Sequence, residues 1–92
     1  MSLDATSVIK VSDGIISADL NGETIAMNPL SGHYMILNQS AAAILRLAGS
    51  PLSVQDLCAR LSEMFKGPAS VIEADVLSAC HDMIRLQIIE TA

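Results

Sequence analysis

From Ile15 to Leu37 the apolar positions fall in short runs, each too brief for a helix and each bounded by turn residues. Ile15–Leu20 (IISADL) and Glu23–Asn28 (ETIAMN) read as two strands. They are joined by Asn21-Gly22, two residues that tolerate positive φ and so predict a type I′ hairpin. Pro29–Gly32 (PLSG) predicts a second turn, and His33–Leu37 (HYMIL) a third strand, which completes an antiparallel meander. Upstream, Val8–Ser12 (VIKVS) predicts a short edge strand or an extended lead-in, closed by the Asp13-Gly14 turn. Residues 1–7 read as a loose tail.

The period changes at Asn38. Asn is a favoured N-cap, and Ala41, Ile44, Leu45 and Ala48 then recur at helical spacing until Gly49 and Pro51 end the run. Ser53 predicts the cap of a second helix, with Asp56 three residues on and an apolar stripe of Val54, Leu57, Cys58, Leu61, Met64 and Phe65. Gly67-Pro68 breaks it. Ser70 and Glu73 form an S-x-x-E capping box that predicts the start of a third helix, whose Ile72, Val76, Cys80, Met83 and Ile84 face one way. Ala74, Leu77 and Ala79 widen that arc beyond one contact, as expected for a helix buried on two sides. The closing IIETA reads as an apolar tail returning along the domain. The expected architecture is α+β and winged-helix-like: a three-stranded antiparallel sheet followed by three helices, in one domain over residues 1–92.

Composition narrows the function. Ten acidic residues face five basic ones, for a net charge of −5. Lys10, Arg46, Arg60, Lys66 and Arg85 are scattered, so no basic surface is available for counterion release, and nucleic acid is not an expected partner. An acidic domain of this kind is expected to meet a protein or a basic peptide. No apolar run is long enough to span a bilayer, and no signal peptide is expected at the start, which places the protein in the cytoplasm.

The residues of catalysis are missing. His33 and His81 have no second ligand at helical spacing, and a zinc site with Cys58 and Cys80 would need the fold alone to assemble it. Cys58 and Cys80 read as reduced, buried thiols, and Cys80-His81 are neighbours that point about 100° apart on a helix. Asp75 and Asp82 share a helix face but read as solvated charges, with Arg85 placed to pair with Asp82. No phosphate-binding glycine loop is present. The expectation is a protein without enzymatic activity and without cofactor or metal.

What remains is surface. The third strand, HYMIL, carries no charge or proline to blunt an exposed edge. Either another element covers it or it stays open to a peptide, which would add as a strand. Tyr34 offers a flat area and a hydroxyl. Strand alternation equally places Met35 and Leu37 in the core, and Tyr34 can be a packing residue.

The order of motifs resembles the PqqD-like family, the recognition elements for precursors of ribosomally made, modified peptides, including stand-alone proteins of lasso-peptide pathways. The family's Gly-x-Tyr-aromatic-x-Leu-Asn strand is matched by Gly32-His33-Tyr34-Met35-Ile36-Leu37-Asn38. Its small-residue helix is matched by QSAAAILRL, its P-x-[ST]-V-x-[DE]-L helix start by Pro51 to Leu57, and its Asp-Val pair by Asp75-Val76. The resemblance spans about Val8 to Ile89. It implies a winged-helix-like domain that binds a precursor's leader region beside the third strand, in a cleft bordered by the last helix, and presents it to a modifying enzyme such as a leader peptidase. The implied peptide-binding residues are Tyr34, Met35, Ile36 and Leu37 on the strand and Asp75, Val76, Ala79, Cys80 and Met83 on the helix. Met35 departs from the family's aromatic, Leu45 from its frequent Trp, and Gln87 from a Gly common before the closing apolar pair. The competing readings are a winged-helix DNA-binding regulator and a dimerisation module in which two third strands pair, giving a homodimer.

Overall fold

The computed structural model describes residues 3–92. Its elements run β1 (Val8–Val11), β2 (Ile16–Leu20), β3 (Glu23–Met27), β4 (Tyr34–Leu37), α1 (Gln39–Leu47), β5 (Leu52–Ser53), α2 (Val54–Met64), α3 (Ala69–Arg85) and β6 (Ile89–Thr91). The fold is α+β with three helices and two antiparallel sheets, β2-β3-β4 and β5-β1-β6.

The first sheet is the expected meander. Leu20 pairs with Glu23 across a two-residue turn, and Asn21 and Gly22 have φ of 52° and 82°, the positive pair that a type I′ turn requires. The second sheet departs from expectation. Val8–Val11 is neither a lead-in nor an edge of the meander but the middle strand of a separate sheet, paired with Leu52 and Ser53 on one side and Ile89–Thr91 on the other. Its pairing partners lie far along the chain and one is two residues long, so no local signal marks them. Ser12 N–H donates to the Ile88 carbonyl and Val11 N–H to the Ala48 carbonyl, which ties this sheet to the ends of α3 and α1.

Residues 3–7 are not a loose tail. Asp4 accepts from Thr6 N–H, Thr6 Oγ1 and Ser7 N–H, and hydrogen bonds from the hydroxyl and these amides hold its carboxyl below the usual range. The Ser7 and Ala5 carbonyls accept the Val54 and Gln55 N–H groups, orphan donors of the first turn of α2. Residues 1 and 2, the rest of the predicted tail, lie outside the described residues.

Asn38 and Ser53 cap α1 and α2 as their side chains predict, accepting from Ala41 N–H at 2.9 Å and Asp56 N–H at 3.0 Å. The third cap differs. Helix α3 starts at Ala69, one residue before Ser70, with Pro68 at the cap and no side-chain hydrogen bond there. The Pro68 carbonyl takes the Val71 and Ile72 N–H groups instead. Proline's fixed φ suits this entry, so the helix begins before the capping-box serine can act.

Leu57 and Leu61 of α2, Val76, Cys80 and Met83 of α3, Ile44 of α1, Ile9 and Ile89 of the second sheet, and Ile88 just before β6 are central to the core. Helix α3 ends in a Schellman motif: Ile88 N–H donates to the Met83 carbonyl and Gln87 N–H to that of Ile84, with Gln87 at φ 61°. That turn sends Ile88 and Ile89 back into the core as β6 begins.

Candidate functional site: an open strand edge beside the last helix

Strand β4 pairs with β3 on one side, and among the described residues no strand pairs with its other side. Asn28 N–H donates to the His33 carbonyl at 2.9 Å, and the register continues as Met27↔Tyr34, Ala26↔Met35, Ile25↔Ile36 and Thr24↔Leu37. In an antiparallel ladder, bonded and non-bonded pairs alternate. His33, Met35 and Leu37 therefore bond to β3, and the N–H and C=O groups of Tyr34 and Ile36 point the other way. The hairpin gives the same phase, because its two-residue turn makes Leu20 and Glu23 a bonded pair.

Ile36 borders a groove of ≈ 310 Å³ between β4 and α3. Met35 and Ile36 form one wall. Asp75, Ser78, Ala79 and Asp82 form the other, at the spacing that makes one stripe along a helix. Ser40 and Ala41 of α1, next to Asn38, close the end.

The two faces of the meander are unlike. The inner face carries Ala26 and Leu37, both buried, and Met35, which packs against the core. The outer face is more apolar. By register Ile16, Met27 and Tyr34 stand in one row and Ala18, Ile25 and Ile36 in the next, with Leu20 beyond. Ile16, Leu20, Tyr34 and Ile36 are each more than half exposed.

The implied binding residues divide accordingly. Tyr34 and Ile36 are at the open edge with side chains on the outer face, and Met35, Asp75 and Ala79 line the groove. Leu37, Val76, Cys80 and Met83 are buried at 4%, 1%, 0% and 0% exposure. Those four belong to the core cluster, and the α3 stripe that covers the core adjoins the stripe that faces the groove. Sequence reasoning missed Ser40, Ser78 and Asp82 at the groove. It also missed Ile16, Leu20, Ile25 and Met27 on the outer face, although their alternation with Ser17, Asp19 and Thr24 is legible.

Asp82 has Arg85 at 3.5 Å, and Asp75 has no ion pair among the described residues. Among the described residues no group of three or more His, Cys, Asp or Glu could hold a metal. Burial pushes the Cys80 thiol up to about 12, with Cys58 adding to the effect, and burial raises Cys58 as well, with Glu73 second. Neither sulfur is poised as a thiolate. No helix is long and apolar enough to cross a membrane among the described residues.

Comparison with known proteins agrees with this geometry. The model of the family described as coenzyme PQQ synthesis protein D (PqqD) matches residues 23–89. No curated protein matches the chain significantly. Three solved structures share the fold. The solution structure of the PqqD truncation of Methylobacterium extorquens PqqCD, described as a functional, stand-alone recognition element for ribosomally made, modified peptides, is 18% identical. It has a TM-score of 0.78 over 97% of this chain and 95% of its own. TbiB1 in complex with the TbiA(β) leader peptide is 18% identical, with a TM-score of 0.73 over 88% of this chain and 94% of its own. Lasso peptide synthetase B1 complexed with the leader peptide is 19% identical, with a TM-score of 0.71 over 89% of this chain and 96% of its own.

Proposed function

The chain belongs to the PqqD family, and from that premise we propose that it is a non-catalytic binding protein for the leader region of a ribosomally made precursor peptide. The leader adds as a strand to β4, and the protein presents it to a modifying enzyme such as a leader peptidase. The observation that carries this reading is the edge at Tyr34 and Ile36, unpaired among the described residues, with Ile36 on the groove beside α3. Main-chain bonds to that edge supply affinity, and the groove supplies specificity. Two structures of the same fold are complexes with leader peptides, and a third is a stand-alone recognition element. The contact residues in this reading are Tyr34, Met35, Ile36, Asp75 and Ala79.

The chain acts as one recognition domain in the cytoplasm, its meander serving as the wing of a winged-helix-type scaffold. A homodimer through β4 would occupy the same edge and compete with the leader.

The test is a titration of the ¹⁵N-labelled protein with the leader of a precursor encoded beside its gene. Amide shifts are expected at residues 33–37 and 75–82. Ile36→Pro removes an edge donor that β3 does not use, so binding is expected to weaken about tenfold or more while the fold survives. Shifts confined to other residues would remove the placement, and absence of binding would remove the function.

A further inference from the structure

The groove has a charge character that the leader-binding reading leaves unused. Its lining includes two carboxylates, Asp75 and Asp82, and no cation. Asp75 is unpaired among the described residues, and Arg85 reaches only Asp82, at 3.5 Å between exposed groups. Lys66 shares the neighbouring recess with Asp75 but makes no ion pair with it within 4.0 Å. Beside the carboxylates the lining is Ser78, Ala79, Ser40 and Ala41, all small side chains.

A strand added to β4 sends alternate side chains to opposite faces. One set enters the groove beside α3, and the other extends the outer row of Tyr34 and Ile36. Asp75 and Asp82 lie two helical turns apart, about 10 Å, a span covered by about three residues of extended chain. A guest strand in the groove therefore passes both.

We infer that the groove selects a strand bearing Lys or Arg at groove-facing positions, with apolar residues at the alternate, outward positions. The long aliphatic stem of such a side chain fills the volume that the small lining residues leave, and its charge meets the carboxylates of the α3 wall. The same carboxylates oppose self-pairing, because two copies joined edge to edge would bring like charges together on chains of net charge −5. This inference rests on the strand-addition reading and names the class of strand it admits.

The probe is a displayed library of random 12-residue peptides, selected on the full chain and, in parallel, on Asp75→Asn/Asp82→Asn and on Ile36→Pro. The pool from the native protein is expected to be enriched in Lys and Arg over Asp and Glu at positions of one parity. The double variant is expected to lose that bias and to bind a selected cationic peptide about three- to tenfold more weakly, with a flatter salt dependence. Peptides that depend on Ile36 but show no charge preference would overturn this inference and leave strand addition standing. Peptides that survive Ile36→Pro, or no enrichment at all, would overturn both. A stable dimer of the free protein by sedimentation, dissociated by neither peptide nor salt, would overturn the inference by giving the groove to a second copy.

Discussion

In the sheet β5-β1-β6, Ile9 and Ile89 are fully buried and hydrogen bonds reach out to α1, α3 and the entry to α2. In the sheet β2-β3-β4, every residue of β2 is exposed, and only Ala26 and Leu37 of the three strands are buried. The sheet β5-β1-β6 stabilises the helices, and the meander is held mainly by its own ladder. A protein optimised only for stability would turn Ile16, Leu20, Ile25 and Ile36 inward. Here the apolar row faces out and β4 has no second neighbour among the described residues, as expected of a surface open to other chains.

The sharpest way to break this contrast is to truncate one residue in each region. Leu57→Ala removes a fully buried side chain and is expected to cost about 2–5 kcal/mol in urea unfolding. Ile16→Ala, on the outer face at 54% exposure, is expected to change stability by about 0.5 kcal/mol or less. Equal losses would mean that the meander is part of the core after all.

Asn28 joins the two regions. It is the one buried polar residue among those described, and its Nδ2 donates to the Gln87 carbonyl at 2.8 Å while its Oδ1 accepts from Leu30 N–H at 2.9 Å. Asn28→Ala leaves the Gln87 carbonyl without this donor and is expected to cost about 1–3 kcal/mol. The loss should appear in hydrogen exchange as faster opening at the turn before β4 and at the end of α3 together. Faster exchange at only one of them would show that the side chain does not couple the regions.

Cys80 reports on the core by pH. Its thiol is held up to about 12 by burial, above the ordinary 9.0. Above pH 9 the unfolded chain releases this proton and the folded chain keeps it, so stability falls as pH rises from about 9 toward 12, by up to about 1.4 kcal/mol per pH unit. Below pH 9 the thiol contributes no slope. Cys58 contributes in the same direction but is less buried. Cys80→Ala is expected to flatten the alkaline limb relative to the native protein, and an unchanged limb would show that the site admits water.

Local signals in the chain were sufficient for the hairpin at Asn21-Gly22, for two of the three helix caps and for the apolar stripes of α2 and α3. They failed where the structure depends on distant pairing. Nothing near Val8 announces Leu52 or Glu90 as a neighbour, and a two-residue strand has no period. Alternation in β2 and β3 is visible, but it does not say which face meets the helices, and the usual assumption, apolar side inward, is wrong here. The groove was half legible: Asp75 and Ala79 emerged from the family resemblance. Val76, Cys80 and Met83 are near them in sequence but belong to the adjoining stripe of α3, a distinction of about 100° that only packing decides.

A small gain is expected at Gln87. In the structure this residue has φ 61°, at the left-handed position that closes α3. Its side chain is exposed, and the fixed elements of the turn are backbone: its N–H donates to the Ile84 carbonyl at 2.9 Å, and its carbonyl accepts Asn28 Nδ2 at 2.8 Å. Glycine can make both bonds without the steric cost of a Cβ at positive φ, and it gives back part of that gain through a freer unfolded chain. The steric relief outweighs the entropy at a position of this kind, so Gln87→Gly is expected to stabilise the protein by about 0.5–1 kcal/mol. Because Gln87 is held by Asn28, the gain should shrink in the Asn28→Ala background, where the turn is free to relax. A double-mutant cycle measures that coupling, and strict additivity would show that the left-handed turn is imposed by α3 alone.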